Sequence, residues 1–251
     1  MKRLVLIGCS ILAFIACKNE NKESEETSVA ENTEVQSSEM DENQEWQELF
    51  NGKDLSGWKA FNEDSISDQW QVENGAISFT PSEGERTKTE NLISEQEFEN
   101  FELSLEWKIS EGGNSGIMWA VQEGEEYNEP YLTGPEIQVL DNEKHPDAKN
   151  GLNRTAGALY DMVPPSEDVT KPAGEWNQEV IHIDHNQNIG WVKLNGVKVT
   201  EFPVNGKEWK KMVEKSKFKD WEGFGASKKG HIALQDHSDP VWYRNIKIKQ
   251  L

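Results

Sequence analysis

Beyond residue 17 the 251-residue chain contains no cysteine; the two it has are Cys9 and Cys17. A folded region without thiols has no disulfide, no Cys-ligated metal and no cysteine nucleophile, so its stability has to come from packing. Positive charge is scarce as well, with 26 basic residues against 46 acidic ones and a net charge of −20. A field of that sign repels polyanions, which excludes nucleic acid as a partner. There is no internal repeat, and no HxH or HExxH spacing of the kind that builds a zinc site on one element. The N-terminal apolar run LVLIGCSILAFIA, after Met1-Lys2-Arg3, is short of a comfortable membrane span.

What is present at the N-terminus is an export address. A charged start, a short apolar stretch and a small residue before Cys17 make residues 1–16 a signal peptide. FIAC, ending at Cys17, resembles the lipobox of bacterial lipoproteins, with Phe14 where Leu is more usual. Acylation of Cys17 would anchor the chain by lipid to a membrane, extracytoplasmically, facing the periplasm or the cell surface. Residues 18–45 are rich in Glu with almost no apolar side chains, so they cannot bury enough surface to offset their ordering entropy. Residues 17–45 are therefore an expected disordered tether, and residues 46–251 the single folded domain.

That domain holds all ten Trp and eight of the nine Phe. Short apolar alternations recur between Gly and Asn turns, the pattern of an all-β domain rather than of βαβ units. WQV-ENG-AISF and WVKL-NG-VKVTEF read as hairpins, because Asn74-Gly75 and Asn195-Gly196 suit a type I′ turn. Further strands are expected at 101–109, 116–121, 136–140, 179–184 and 231–235, and in the C-terminal run, giving two sheets. Residues 207–221, with Trp209, Met212 and Val213 at helical spacing, read as one amphipathic helix covering the sandwich. Alternation puts Leu103, Leu105, Trp107 and Ile109 inside, and likewise Ile137 with Val139 and Ile181 with Ile183. The opposite parity then places carboxylates from three strands, Glu102, Glu106, Glu136 and Asp184, with His182, on one expected groove-lining face.

Seven blocks carry a family resemblance: LFNGKDLSGWK (49–59), GGNSGIMW (112–119), GPEIQVLDN (134–142), GALYDMVPP (157–165), GEWN (174–177), LNGVKV (194–199) and IALQDHSDPVWYRNIKIK (232–249). In this order they resemble the 3-keto-disaccharide hydrolase family, formerly domain of unknown function 1080. The resemblance implies a concanavalin-like or laminarinase-like jelly-roll β-sandwich. It also implies cleavage of 3-keto-glycosides or 3-keto-disaccharides, made from the parent sugar by a partner C3-dehydrogenase. A C3 ketone acidifies the C2 hydrogen, so a base forms an enolate that expels the C1 substituent, and water adds to the resulting enone. Such a site needs a C2 base, a stabiliser for the C3 oxyanion, an acid for the leaving oxygen and groups that hold the ring.

Glu136 and Gln138 share the exposed face of one strand, with Asp141 and His145 in the turn that follows, which makes this segment the first candidate site. Tyr160 is either a donor to the leaving oxygen or an aromatic core residue. Gln235 and His237 flank the Ser238-Asp239-Pro240 turn in a second cluster. Arg244 shares parity with Ile246 and Ile248, so either a bulge turns it outward or it pairs inside the sandwich. Asn114 and Ser115 offer hydrogen bonds from a Gly-rich turn, and Trp119 reads as core or rim. The expected catalytic set is Glu136, Asp141, His145, Tyr160 and His237, and the expected binding set Asn114, Ser115, Gln138, Gln235 and Arg244. No cofactor is demanded; a divalent metal held by histidines and carboxylates stays open. Two other functions fit a jelly roll: a non-catalytic carbohydrate-binding lipoprotein, and a conventional glycosidase with two carboxylates.

Overall fold

The computed structural model describes residues 45–84 and 88–251; the signal peptide, Cys17 and almost all of the acidic tether lie outside them. The strands are β1 (Gln47–Glu48), β2 (Trp58–Ala60), β3 (Trp70–Glu73), β4 (Ala76–Phe79), β5 (Leu92–Phe98), β6 (Phe101–Ile109), β7 (Asn114–Val121), β8 (Glu136–Leu140), β9 (Asn177–Asp184), β10 (Ile189–Leu194), β11 (Val197–Phe202), β12 (Gly230–Leu234) and β13 (Val241–Gln250). One sheet runs β11-β10-β9-β6-β13-β4-β3, with β1 also on β13; the other runs β2-β5-β12-β7-β8. Every pairing is antiparallel. The result is the expected jelly-roll sandwich.

Both hairpin turns form as the Asn-Gly pairs require. Asn74 and Gly75 have φ of 51° and 76°, and Asn195 and Gly196 have 48° and 87°, the positive pair that matches the twist of the flanking strands. The inner faces meet in one core. Ile77, Phe79, Leu105 and Trp107 from the larger sheet pack with Ile117, Ile137, Val139 and Leu234 from the smaller one. Among the described residues no helix is long and apolar enough to cross a membrane.

Two expectations need correction, and one open alternative is decided. The carboxylates do not share one face: β6 and β9 belong to the larger sheet, β8 to the smaller, so Glu102, Glu106 and His182 look out from the opposite side of the sandwich to Glu136 and Gln138. The helix is α1 (Gly206–Val213) only; beyond it the chain turns, and Phe218, Trp221 and Phe224 pack on one another, with Phe218 and Phe224 stacked at 4.0 Å. The parity of β13 breaks at a bulge, where Asn245 takes φ 53° and the register to β6 shifts after Arg244. Arg244 therefore points outward. Its Nη2 and Nε lie 2.7 and 2.8 Å from Glu106, and its guanidinium lies over Trp176 at 4.0 Å.

One carboxylate went unnoticed in the alternation. Glu179 shares the parity of Ile181 and Ile183, and is fully buried with a single hydrogen bond, from Trp107 Nε1 at 2.5 Å. Its other oxygen has no partner, and burial pushes its pKa up to about 8 from an ordinary 4.5, with the Trp107 bond pulling back. The folded protein thus holds a proton that the unfolded chain releases above about pH 4.5. Stability falls as pH rises from there to about 8, by up to ~1.4 kcal/mol per pH unit for this group. Glu179→Gln should flatten that slope. Urea unfolding at pH 5 and pH 8 checks it: the variant should gain on the wild type at the higher pH, and an unchanged slope would show Glu179 ionised in the fold.

Candidate active site

The site lies on the outer face of the smaller sheet, at the β7–β8 edge. Because Ile137 and Val139 turn inward, Glu136 and Gln138 turn out. On the neighbouring strand, Gly116 stands opposite Gln138, and a Cβ built on Gly116 would overlap the Glu136 carboxylate. The glycine is a cradle that lets the carboxyl lie across the sheet. Gln235 follows β12 and is held beside β7 by its N–H to Gly116 O at 2.9 Å.

Together these residues floor a pocket of about 340 Å³, lined also by Asn114, Tyr131, Tyr160, Lys217, Phe218, Trp221 and His237. A larger and more open groove of about 740 Å³ lies elsewhere, around Glu95, Glu97, Glu99 and Lys229. It has surface charges but no aromatic wall, and nothing there demands a ligand.

The pocket's electrostatics centre on Glu136. The residue is buried, its carboxylate accepts no hydrogen bond from the described residues, and burial lifts its pKa to about 8. Lys217 opposes the rise and Asp147 adds to it. Although much of Lys217 is exposed, loss of solvent draws its ammonium below the ordinary lysine pKa while Glu136 resists; its Nζ sits over the Tyr160 ring at 4.3 Å. Three residues that line the pocket each carry a buried amide oxygen without a partner: Asn114 Oδ1, Gln138 Oε1 and Gln235 Oε1. Gln138 is oriented by Nε2 donating to Arg154 O at 3.3 Å, which leaves its oxygen as an acceptor. Buried acceptors of this kind await donors from a ligand.

The expected residues separate cleanly. Glu136, Gln138, Asn114, Gln235, Tyr160 and His237 converge on the pocket. His145 stands next to His237, ring centres 6.3 Å apart, with Nδ1 accepting from Asp147 N. His145 is thus beside the pocket rather than in its lining, and three more expected residues do not belong to it. Ser115 points into the sandwich, its Oγ 2.6 Å from Gln235 O and 2.7 Å from the Tyr243 hydroxyl. Asp141 is a turn former that accepts from Gly112, Glu143 and Lys144 N–H groups. Arg244 lies on β13 of the larger sheet, where the bulge turns it outward and away from the pocket. Tyr160 lines the pocket with its ring, but its O–H donates to Asp147 Oδ2 at 2.8 Å; burial and that bond raise its pKa, so the phenol is no ready acid. Trp119 is core, stacked on Phe202.

Sequence reasoning missed the far wall. Tyr131, Lys217, Phe218 and Trp221 reach the pocket from two loops, and only the aromatic density after α1 hinted at them. It also missed the brace beneath: Arg154 Nη1 and Nη2 reach Asp147 and Asp161 at 3.1 and 2.9 Å. Burial works against the Asp147 charge, but hydrogen bonds from Asn150, Tyr160 and Arg154 hold its pKa below the ordinary value.

Comparison with known proteins fixes the family. The model of the 3-keto-alpha-glucoside-1,2-lyase-like domain matches residues 45–249. The chain belongs to this family. A protein of Bacteroides thetaiotaomicron named 3-keto-disaccharide hydrolase is 36% identical, over 98% of this chain and 94% of its own. Two crystal structures from Parabacteroides distasonis, both under the name glycosyl hydrolase, cover 82% of this chain. One is 32% identical with TM-score 0.75 over 94% of its chain, the other 27% identical with TM-score 0.62 over 100%. Membership makes the protein an enzyme acting on glycosidic bonds.

Gly116→Ala tests the cradle. The added methyl has to expel the Glu136 carboxyl from the floor, so turnover should fall at least about tenfold while the melting temperature moves little. Unchanged kcat would mean that the carboxyl's seat does not matter.

Proposed function

We propose that the protein is an extracytoplasmic lipoprotein that cleaves the glycosidic bond of 3-keto-glycosides or 3-keto-disaccharides by elimination and hydration. The observation that carries the reading is the solitary carboxylate: among the residues lining the pocket only Glu136 is acidic, and unpartnered amide oxygens share the floor with it. A conventional retaining glycosidase needs two carboxyls about 5 Å apart across the bond. A sugar ring, by contrast, supplies the hydroxyl donors that Asn114, Gln138 and Gln235 lack, and Tyr131 and Trp221 supply faces for it.

Glu136 takes the C2 proton, and the C2–H electrons become the C2=C3 bond of an enolate. Lys217 offers positive charge to the C3 oxyanion. The enolate then collapses: C3=O reforms, C1=C2 forms, and the C1–O bond breaks with its electrons on the leaving oxygen. The proton held by Glu136 is available to that oxygen. Addition of water, hydroxyl to C1 and hydrogen to C2, completes a net hydrolysis. His145 and His237 stand at the mouth, beyond the first proton transfer. The C3 ketone has to be made beforehand by a sugar C3-dehydrogenase.

Incubating the protein with a 3-keto-glucoside and with its parent glucoside in D₂O, and following both by NMR, tests the mechanism. Deuterium at C2 of the product supports it; cleavage of both sugars without C2 label overturns it, and tight binding without turnover would favour a carbohydrate-binding protein. For the anchor, which rests on FIAC and the signal-like start, Cys17→Ser should move the protein from the membrane fraction to the soluble extracytoplasmic one. Unchanged membrane retention would instead indicate an uncleaved apolar segment.

A further inference from the structure

At the pocket mouth, two loops bring His145, His237 and Asp239 together. His145 caps the short 3₁₀ turn Pro146–Asn150, and His237 and Asp239 belong to the turn between β12 and β13. One nitrogen from each ring and one carboxylate oxygen all lie within 4.8 Å of one another. An ion placed centrally among them would stand at most about 2.8 Å from each. Closing to a coordination bond of about 2.1 Å takes a shift of roughly 0.7 Å per ligand, within the reach of loop side chains.

Asn114 ties this cluster to the pocket. Its backbone N–H donates to Asp239 Oδ2 at 3.0 Å, and its side-chain Nδ2 lies 3.4 Å from His237 Nε2. Its Oδ1 is buried and has no partner. The Asn114 backbone thus fixes the Asp239 carboxylate on the side of the cluster that adjoins the pocket.

We propose that His145, His237 and Asp239 form a divalent transition-metal site at the mouth of the pocket. Two imidazoles and one carboxylate, without thiolate, suit the Mn²⁺ to Zn²⁺ series rather than Mg²⁺ or Ca²⁺, which prefer all-oxygen sets. The site needs one local change. His145 Nδ1 accepts from Asp147 N at 3.1 Å, so ligation through Nε2 places the ring proton on Nδ1 and breaks that contact. Metal binding is therefore coupled to the 145–150 loop. The assignment is independent of which glycoside is cleaved.

The test uses the full chain carrying Cys9→Ser and Cys17→Ser, so that no thiol competes, stripped with chelator. Zn²⁺ is titrated by calorimetry and Co²⁺ by visible absorption. One equivalent should bind, unaffected by excess Mg²⁺ or Ca²⁺, and Zn²⁺ should shift the Asp147 amide resonance in an NMR spectrum. His237→Ala and Asp239→Asn should each weaken binding at least about tenfold, with the metal-free melting temperature near the parent's. His231→Gln is the control, because His231 Nε2 also faces two carboxylates, Glu97 and Glu123, at 3.7 Å; its affinity should not change. Absence of saturable binding, or binding that survives both His237→Ala and Asp239→Asn, overturns the assignment, as does a loss confined to His231→Gln.

Discussion

Glu136→Gln should lower kcat on a 3-keto-glucoside by about 10² to 10⁴, the range that a positioned general base contributes. The amide keeps the side chain's size and its place beside Gly116 but cannot take a proton, so KM and melting temperature should change little. The pH profile is the sharper readout. Burial first, and Asp147 second, hold the Glu136 pKa up at about 8, against the pull of Lys217. The active form is the deprotonated one, so kcat/KM should rise with pH and level off above about 8. Lys217→Met removes the opposing charge and should move that limb to higher pH. A profile that instead fell through pH 8 would make Glu136 the acid, and a Glu136→Gln variant of full activity would end its candidacy.

The protein should turn over a 3-keto-glucoside at least about 10⁴ times faster than the parent glucoside. The reason lies in the substrate: without the ketone, C2–H is not acidic, and a base worth roughly 10² to 10⁴ cannot make up the difference. Nor does the pocket offer another route. Among the described residues Glu136 is the sole lining carboxylate, with no second carboxyl in the lining to attack C1 or to activate water across the bond. Initial rates on the matched pair measure the ratio, and comparable rates would mean ordinary glycoside hydrolysis.

Stability and catalysis draw on the same physics at two carboxyls. Glu136 and Glu179 are both buried with pKa values near 8, yet one faces an open pocket and the other a sealed core. A neutral carboxyl in the core is held by Trp107 and costs stability as pH rises. In the proposed mechanism the pocket carboxyl becomes useful when it ionises, with Lys217 and the hydroxyls of a bound sugar to receive the charge. Desolvation lifts both; only the surroundings decide which one works.

Much of the protein was legible in its residues. Alternation of apolar and polar side chains is a local property of a strand, so Phe101–Ile109 and Glu136–Leu140 were bounded correctly, and Asn-Gly specifies a turn by its own backbone preference. The outward pair Glu136 and Gln138 followed from the same rule. What alternation cannot say is which sheet a strand joins: Glu102, Glu106 and His182 look identical to Glu136 in sequence and lie on the other side of the sandwich. It fails at bulges, where one extra residue reverses every side chain after it, as Asn245 does in sending Ile246 and Ile248 inward although they share the parity of the outward Arg244. It says nothing about contacts between distant loops, so the placing of Lys217, Tyr131 and Trp221 over Glu136, and of His145 beside His237 and Asp239, was decided by tertiary packing alone. Local sequence determined the strands, their faces and their turns, because those depend on neighbours along the chain; the site's chemistry depends on burial and on neighbours in space, and these exist only once the two sheets have closed.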